Sequence, residues 1–265
     1  MDTLEQQFQD QTVSPEEFQI ENVAGDNACL YRSIANGLNY RIKDGEEILD
    51  INATRSYDKK YEDVFGHKSW GISGKVQELY SRKIQQIARN WFKRHHSEIY
   101  SEIGITYREL VESIHEISYE EYEKRYSYFA GDEIYEIKDT GKIYQRGKRE
   151  GQKILHKIYL DERWGGLPEQ LAISKYFEIP IIIYTCQKFD KRRKKIITGR
   201  IRNNKAERGV KFKMCQIIGE KYLTQGVPPL LLLWKKSSSG PHYMCLYQKN
   251  PETRFNSRGS IVEEQ

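Results

Sequence analysis

The sequence predicts an α+β protein, a small central β-sheet flanked by helices. Three observations predict it. Through the first half of the chain, apolar residues recur at threes and fours, the spacing of a helix face. Unbroken apolar runs, Ile181-Ile182-Ile183-Tyr184 and Leu230-Leu231-Leu232-Leu233-Trp234, come late and suit buried strands. A Ser-Ser-Ser-Gly-Pro loop then joins the second run to His242-Tyr243-Met244-Cys245-Leu246-Tyr247, as in a hairpin. Helices first and strands late is the α+β order.

Along the chain, Ser14, Pro15 and Glu17 have the order of an N-cap, an N1 proline and a capping-box glutamate, so a short helix is expected there. Gly25, Asp26 and Asn27 form a turn. After Cys29, apolar residues fall at Leu30, Ile34 and Leu38, which puts Cys29 in the first turn of an amphipathic helix. Residues 40–70 are polar and irregular. From Gly74 to Phe92 the residues Val76, Tyr80, Ile84, Ile87, Ala88 and Trp91 mark another helix. Residues 97–137, rich in Tyr, Glu and Ile, are expected to form further helices broken at Gly104 and Gly131. A glycine-broken link follows at 139–151. Trp164-Gly165-Gly166 opens a helix with Pro168 in its first turn, and that helix stops before Pro180.

The chain has 265 residues, enough for one large domain or two small ones. Only 38% are apolar, yet 19 Tyr, 9 Phe and 4 Trp rule out a disordered composition. No apolar run reaches the length of a membrane span, and the acidic, polar N-terminus is not a signal peptide. The four cysteines lack CxxC spacing, which argues against zinc, and point to a reducing compartment. Charge is uneven. Residues 188–213 hold 12 Lys/Arg against 2 Asp/Glu, while the rest of the chain is net acidic. A solvated hairpin between two strands explains this segment; contact with an acidic surface is the functional alternative. Nucleic acid is an unlikely ligand, because neither a reading helix nor a stacking platform accompanies the charge.

A thiol protease needs an acidified cysteine, a histidine to carry protons, and backbone N–H groups for the oxyanion. A helix start serves the first and third needs, since its leading amides are unpaired and partly positive. Cys29 is placed for that; Cys186, Cys215 and Cys245 belong to strand-like stretches. Of the six histidines, His67, His95, His96, His115 and His156 suit surface or capping roles. His242 differs: it opens a strand after a Ser/Gly/Pro loop, where an imidazole is held firmly at an open edge. An early helix cysteine with a late strand histidine is the papain-like order.

Three blocks resemble the ovarian-tumour (OTU) family of cysteine deubiquitinases. Asp26-Asn27-Ala28-Cys29-Leu30-Tyr31-Arg32-Ser33-Ile34 is similar to its Asp-Gly-Asn-Cys-Leu-Phe-Arg-Ala-Ile. Trp164-Gly165-Gly166 with Glu169, Ala172 and Pro180-Ile181 is similar to its Trp-Gly-Gly segment, and His242-Tyr243 to its C-terminal His-Tyr. The blocks keep the family's order; residues 35–163 match nothing in it.

The resemblance implies a papain-like OTU fold over the whole chain, as one catalytic domain. It would have an N-terminal helical extension (1–20), a mostly helical insertion (40–150) and a polar tail (251–265). It implies Cys29 as nucleophile and His242 as base and then acid. Asp26 would shape the oxyanion loop with the backbone of Asn27 and Ala28. Tyr243 and Trp164 would bound the channel for ubiquitin's Gly-Gly tail, the Trp-Gly-Gly turn being chiefly structural. Helices within 97–137 would grip ubiquitin through their tyrosines. The partners are ubiquitin, its chains and ubiquitinated proteins; no metal or cofactor is required. One position departs: many members carry Asp or Asn two residues after the histidine, and here that residue is Met244. Either a Cys-His dyad suffices or the third group comes from elsewhere, with Asn22 a possible source. The alternative is an inactive ubiquitin-binding module of the same fold. The Lys-, Ile- and Tyr-heavy composition suits an AT-rich genome, such as an intracellular bacterium or large virus, and then the ubiquitin is a host's.

Overall fold

The unbroken apolar runs become the centre of a sheet that is buried on both faces. A computed structural model describes residues 3–23, 28–43, 74–125, 134–137, 142–145, 156–157, 165–237, 240–249, 254–255 and 261–262. Its main sheet is built from strands β1 (Phe18–Glu21), β7 (Ile181–Asp190), β8 (Lys195–Thr198), β11 (Val210–Ile218), β12 (Leu230–Ser237) and β13 (Gly240–Gln248). The order is β1-β13-β12-β7-β11, with β8 also on β7. The pairings are antiparallel except β12 with β7, which is parallel. Small pairs complete the set: β2 (Ile99–Tyr100) with β3 (Ile105–Thr106), β9 (Ile201–Arg202) with β10 (Lys205–Ala206), and β14 (Arg254–Phe255) with β15 (Ile261–Val262). A further sheet joins β4 (Ile134–Ile137), β5 (Lys142–Gln145) and β6 (His156–Lys157).

Alternation sorts each central strand between two cores. Ile181, Ile183, Leu230 and Leu232 face a helical layer. Ile182, Tyr184, Cys186, Leu231, Leu233, Met244 and Leu246 face the other side, where Phe18, Ile20, Phe212 and Leu223 meet them. Burial on both faces is why these strands are continuous apolar runs. The helical layer comprises α2 (Cys29–Lys43), α3 (Gly74–His95), α4 (Tyr107–His115), α5 (Tyr119–Arg125) and α6 (Leu167–Phe177). Leu30, Ile34 and Leu38 are buried as their spacing predicted, and so are Ile84, Ile87, Ala88 and Trp91. Gly37 lets α2 lie on the sheet, since a Cβ there would come within 2.9 Å of Leu230 Cδ2. Among the described residues, α1 (Thr3–Asp10), whose Phe8 packs on Phe189 of β7, and the short α7 (Glu220–Thr224) lie outside this layer.

The mixed α+β class is as expected, with corrections in detail. The Ser14 capping box forms, but it caps a single 3-10 turn, Pro15–Glu17, that runs straight into β1. The N-terminal stretch is therefore not purely helical; its last residues make an edge strand of the main sheet. Residues 97–137 are not all helix. Gly104, at φ +74°, turns the β2–β3 hairpin, and β4 is a strand. The segment expected as a mostly helical insertion also carries β5. Gly131, much of the 139–151 link, residues 44–73 and most of the 251–265 tail lie outside the described residues. The basic segment folds as hairpins: β7 turns into β8, and β9 into β10 through Asn203 and Asn204, both at positive φ. Among the described residues, no helix is long and apolar enough to cross a membrane.

Candidate active site

Cys29 is the first residue of α2, and the first intrahelical bond runs from Arg32 N to Ala28 O at 2.9 Å. The amides of the first turn therefore point out of the helix end. Cys29 is a thiol, only 5% exposed, and the Tyr243 N–H donates to its Sγ at 3.4 Å. That N–H belongs to the peptide unit joining His242 to Tyr243. A residue near the start of the sequence thus touches the strand that carries the late histidine.

His242 Nε2 lies 2.8 Å from Asn22 Oδ1. An amide oxygen only accepts, so Nε2 donates, and a neutral imidazole so bonded keeps its lone pair on Nδ1. The sheet explains the contact. The β1–β13 ladder ends at Glu21↔Cys245, so Asn22 continues β1 alongside Met244, on the face of β13 that His242 shares. Met244 itself is buried in the second core. An amide on the neighbouring strand stands where Met244 offers none. If Cys29 and His242 react as the sequence leads one to expect, Met244→Leu should leave turnover within about twofold, since a volume-conserving core swap costs under about 1.5 kcal/mol; steady-state kinetics on folded protein checks this.

Tyr243 points to the opposite face, and its hydroxyl accepts from Gln170 Nε2 of α6 at 2.9 Å. Burial pushes its phenol up to about 12, so it stays protonated. Tyr31, in the turn after Cys29, is raised further, by burial first and then by the charges of Glu169 and Cys29. Gly165 belongs here for want of space. A Cβ on it would come within 2.5 Å of Leu30 Cδ2 and 2.8 Å of the Tyr31 hydroxyl. The glycine thus allows the segment before α6 to close on the cysteine helix. Burial also pushes the Cys186 thiol up to about 12 and raises those of Cys215 and Cys245, which keeps all three protonated.

Asp26, Asn27 and Trp164 lie outside the described residues. Cys29 meets the main chain of Tyr243, with Ala28 and His242 as the respective chain neighbours, and the His242 ring meets Asn22. Of the tyrosines expected to grip a partner, Tyr100, Tyr107, Tyr119 and Tyr122 do not face outward but are buried in the main core, and the side chain of Tyr135 lies outside the described ones. Tyr126 and Tyr128 lie outside the described residues. Among the described residues of that stretch, the large apolar side chains that are exposed are Ile99, Ile103 and Ile114. The spacing Tyr107, Leu110, Val111 was the available signal, since it marks one buried helix face.

His115, expected at the surface, is buried. Its Nε2 lies 2.9 Å from Glu169 Oε1, with side-chain exposures of 8% and 0%. Glu169 also accepts from Tyr122 Oη at 2.8 Å and Gly166 N at 2.6 Å. Burial disfavours both charges, but each outweighs the penalty on the other: His115 is raised and Glu169 lowered. The pair ties α4 to α6, next to the Gln170 that holds Tyr243. Glu169→Ala should cost about 3–5 kcal/mol, because it leaves a buried partner uncompensated. The raised imidazole contributes stability in full below its unfolded pKa and loses it as pH rises through the folded one. The lowered carboxylate contributes above its unfolded pKa and loses its share only as acid titrates it. Urea denaturation should therefore show the gap between wild type and variant widest near pH 6 and narrowing toward pH 8.

Among the described residues, no group of His, Cys, Asp and Glu could hold a metal ion. Comparison with protein-family models finds no match, and comparison with curated proteins finds none either.

Proposed function

We propose that this chain is a thiol isopeptidase of the OTU kind, with a papain-like arrangement, that releases ubiquitin or a ubiquitin-like modifier from lysine side chains. The supporting observation is a pair of contacts between distant parts of the chain: Cys29 Sγ against the Tyr243 amide, and Asn22 Oδ1 on His242 Nε2. A cysteine at a helix start, a strand imidazole and an amide on its far nitrogen are the parts of a Cys-His-Asn mechanism.

In this reading the Cys29 thiolate, favoured by the α2 N-terminus, attacks the carbonyl carbon of the modifier's terminal glycine. The Cys29 amide and the Asp26–Ala28 loop hold the oxyanion. His242 gives its Nδ1 proton to the lysine amine as the C–N bond breaks, leaving a thioester. Water then attacks the thioester with His242 as base, and the modifier's carboxylate and the thiol are regenerated. Tyr243, fixed by Gln170, borders the narrow path for the Gly-Gly tail. Asn22 positions the imidazole. The setting that suits this chemistry is a reducing cytosol, a host's if the chain is delivered there.

Incubating the full chain with ubiquitin carrying a C-terminal fluorophore tests the reading. Fluorophore release that one equivalent of a thiol alkylator stops supports it. No release, or release indifferent to alkylation, overturns it.

A further inference from the structure

The main sheet has a notch beside the proposed site. β12 runs along β7 from Leu230↔Ile181 to Trp234↔Thr185, and the ladder between them ends there. β8 takes up the same edge of β7 only from Gln187↔Thr198. Cys186, between them, uses its carbonyl to accept from Gly199 N at 3.0 Å. Past Trp234, the described pairing of Lys235, Lys236 and Ser237 is with β13 alone. Alternate main-chain groups of this stretch point away from β13, toward the gap. The gap is a cavity of about 280 Å³ lined by Thr185, Gln187, Thr198, Trp234, Lys235 and Lys236, among others. That suits a short extended segment and not a folded domain. The lining has two ammonium groups, and among its described residues no carboxylate. The β7–β8 turn, with exposed Lys191, Arg192, Arg193, Lys194 and Lys195, adds positive charge next to it.

Register places the notch against the chemistry. Lys235 pairs with His242, and Lys236 with Pro241. By alternation, Lys235 and His242 share one face, while Trp234 and Tyr243 share the other and pack toward the helical core. If the modifier's tail lies along Tyr243, the group that leaves lies on the side of His242, which protonates it.

We infer that the notch docks an extended acidic peptide: its main chain continues the sheet edge at Lys235–Ser237, and its carboxylates meet Lys235 and Lys236. Resting on the reading of Cys29 and His242 as the reacting pair, this peptide is the part of the modified substrate on the lysine side of the scissile bond. The site thereby favours substrates whose modified lysine lies in an acidic, unfolded stretch.

The test is fluorescence anisotropy of a fluorescein-labelled Glu-rich peptide on the full chain. Its comparators are the Gln-substituted peptide and one N-methylated at alternate amides. The Glu-rich peptide should bind about tenfold or more tighter than either. Lys235→Glu with Lys236→Glu should abolish the preference for Glu over Gln. Lys236→Glu alone, at an exposed position that tolerates charge, should weaken it severalfold. Arg192→Glu with Arg193→Glu, in the turn, should change it less than the Lys236 variant does. The proposal is overturned if the Gln peptide binds equally, if N-methylation has no effect, or if the turn variant loses as much as the notch variant. Release from ubiquitin–fluorophore, run alongside, separates the two claims. Release without acidic-peptide binding overturns the notch alone. Peptide binding without release supports the notch as a binding site and overturns the isopeptidase reading.

Discussion

Cys29→Ala should reduce hydrolysis of ubiquitin chains by about 10⁵-fold or more while the protein still folds, because loss of a nucleophile removes the covalent route entirely. Folding should survive because a small side chain replaces a small one at the start of α2. The contact from Tyr243 N–H to Sγ that the substitution removes is a weak one. Urea denaturation should put the change within about 1 kcal/mol. Cys186→Ser and Cys245→Ser should behave in the opposite way. Both thiols are buried, so an introduced hydroxyl costs about 1–3 kcal/mol, yet activity per folded molecule is kept. Gel-based chain cleavage beside denaturation curves separates the two patterns. Chain cleavage retained by Cys29→Ala would mean that the nucleophile is another residue.

Asn22→Ala should lower kcat by about 10²-fold with little change in KM, since a misoriented imidazole costs on that order. Asn22 is exposed, so truncation should change stability by no more than about 0.5 kcal/mol. Asn22→Asp should recover most of the loss, because a carboxylate still accepts from Nε2 at the 2.8 Å contact. It should also move the rising or falling limb of the kcat pH profile toward higher pH, because an anion beside the ring favours the imidazolium. A merely structural role for Asn22 predicts neither the rescue nor the shifted profile. Equal activity in wild type and Asn22→Ala would leave a Cys-His dyad as the working unit.

Local signals carried much of this site. Cys29 could be placed at a helix start because Leu30, Ile34 and Leu38 repeat at fours, and they are buried together. The late apolar runs gave β7, β12 and β13 because a strand buried on both faces leaves no polar alternation to confuse. What stayed hidden depends on register and on distant partners. β1 is four residues long and follows a capping box, so its local signal was helical. That Asn22 comes up beside Met244 follows from the pairing Glu21↔Cys245, residues 224 positions apart in sequence. His115 lies among Glu112, Ser113 and Glu116, a polar setting that reads as surface; its partner Glu169 is 54 residues away. The tyrosines of α4 and α5 were assigned outward on composition, although their three-and-four spacing already marked a buried face.

The most direct test of the central claim uses ubiquitin with an electrophile in place of its C-terminal carboxylate, followed by peptide mapping of the adduct. One covalent adduct is expected, on Cys29, absent from Cys29→Ala and strongly slowed in His242→Ala. A chain that forms no adduct, or one labelled instead at exposed Cys215, would contradict it.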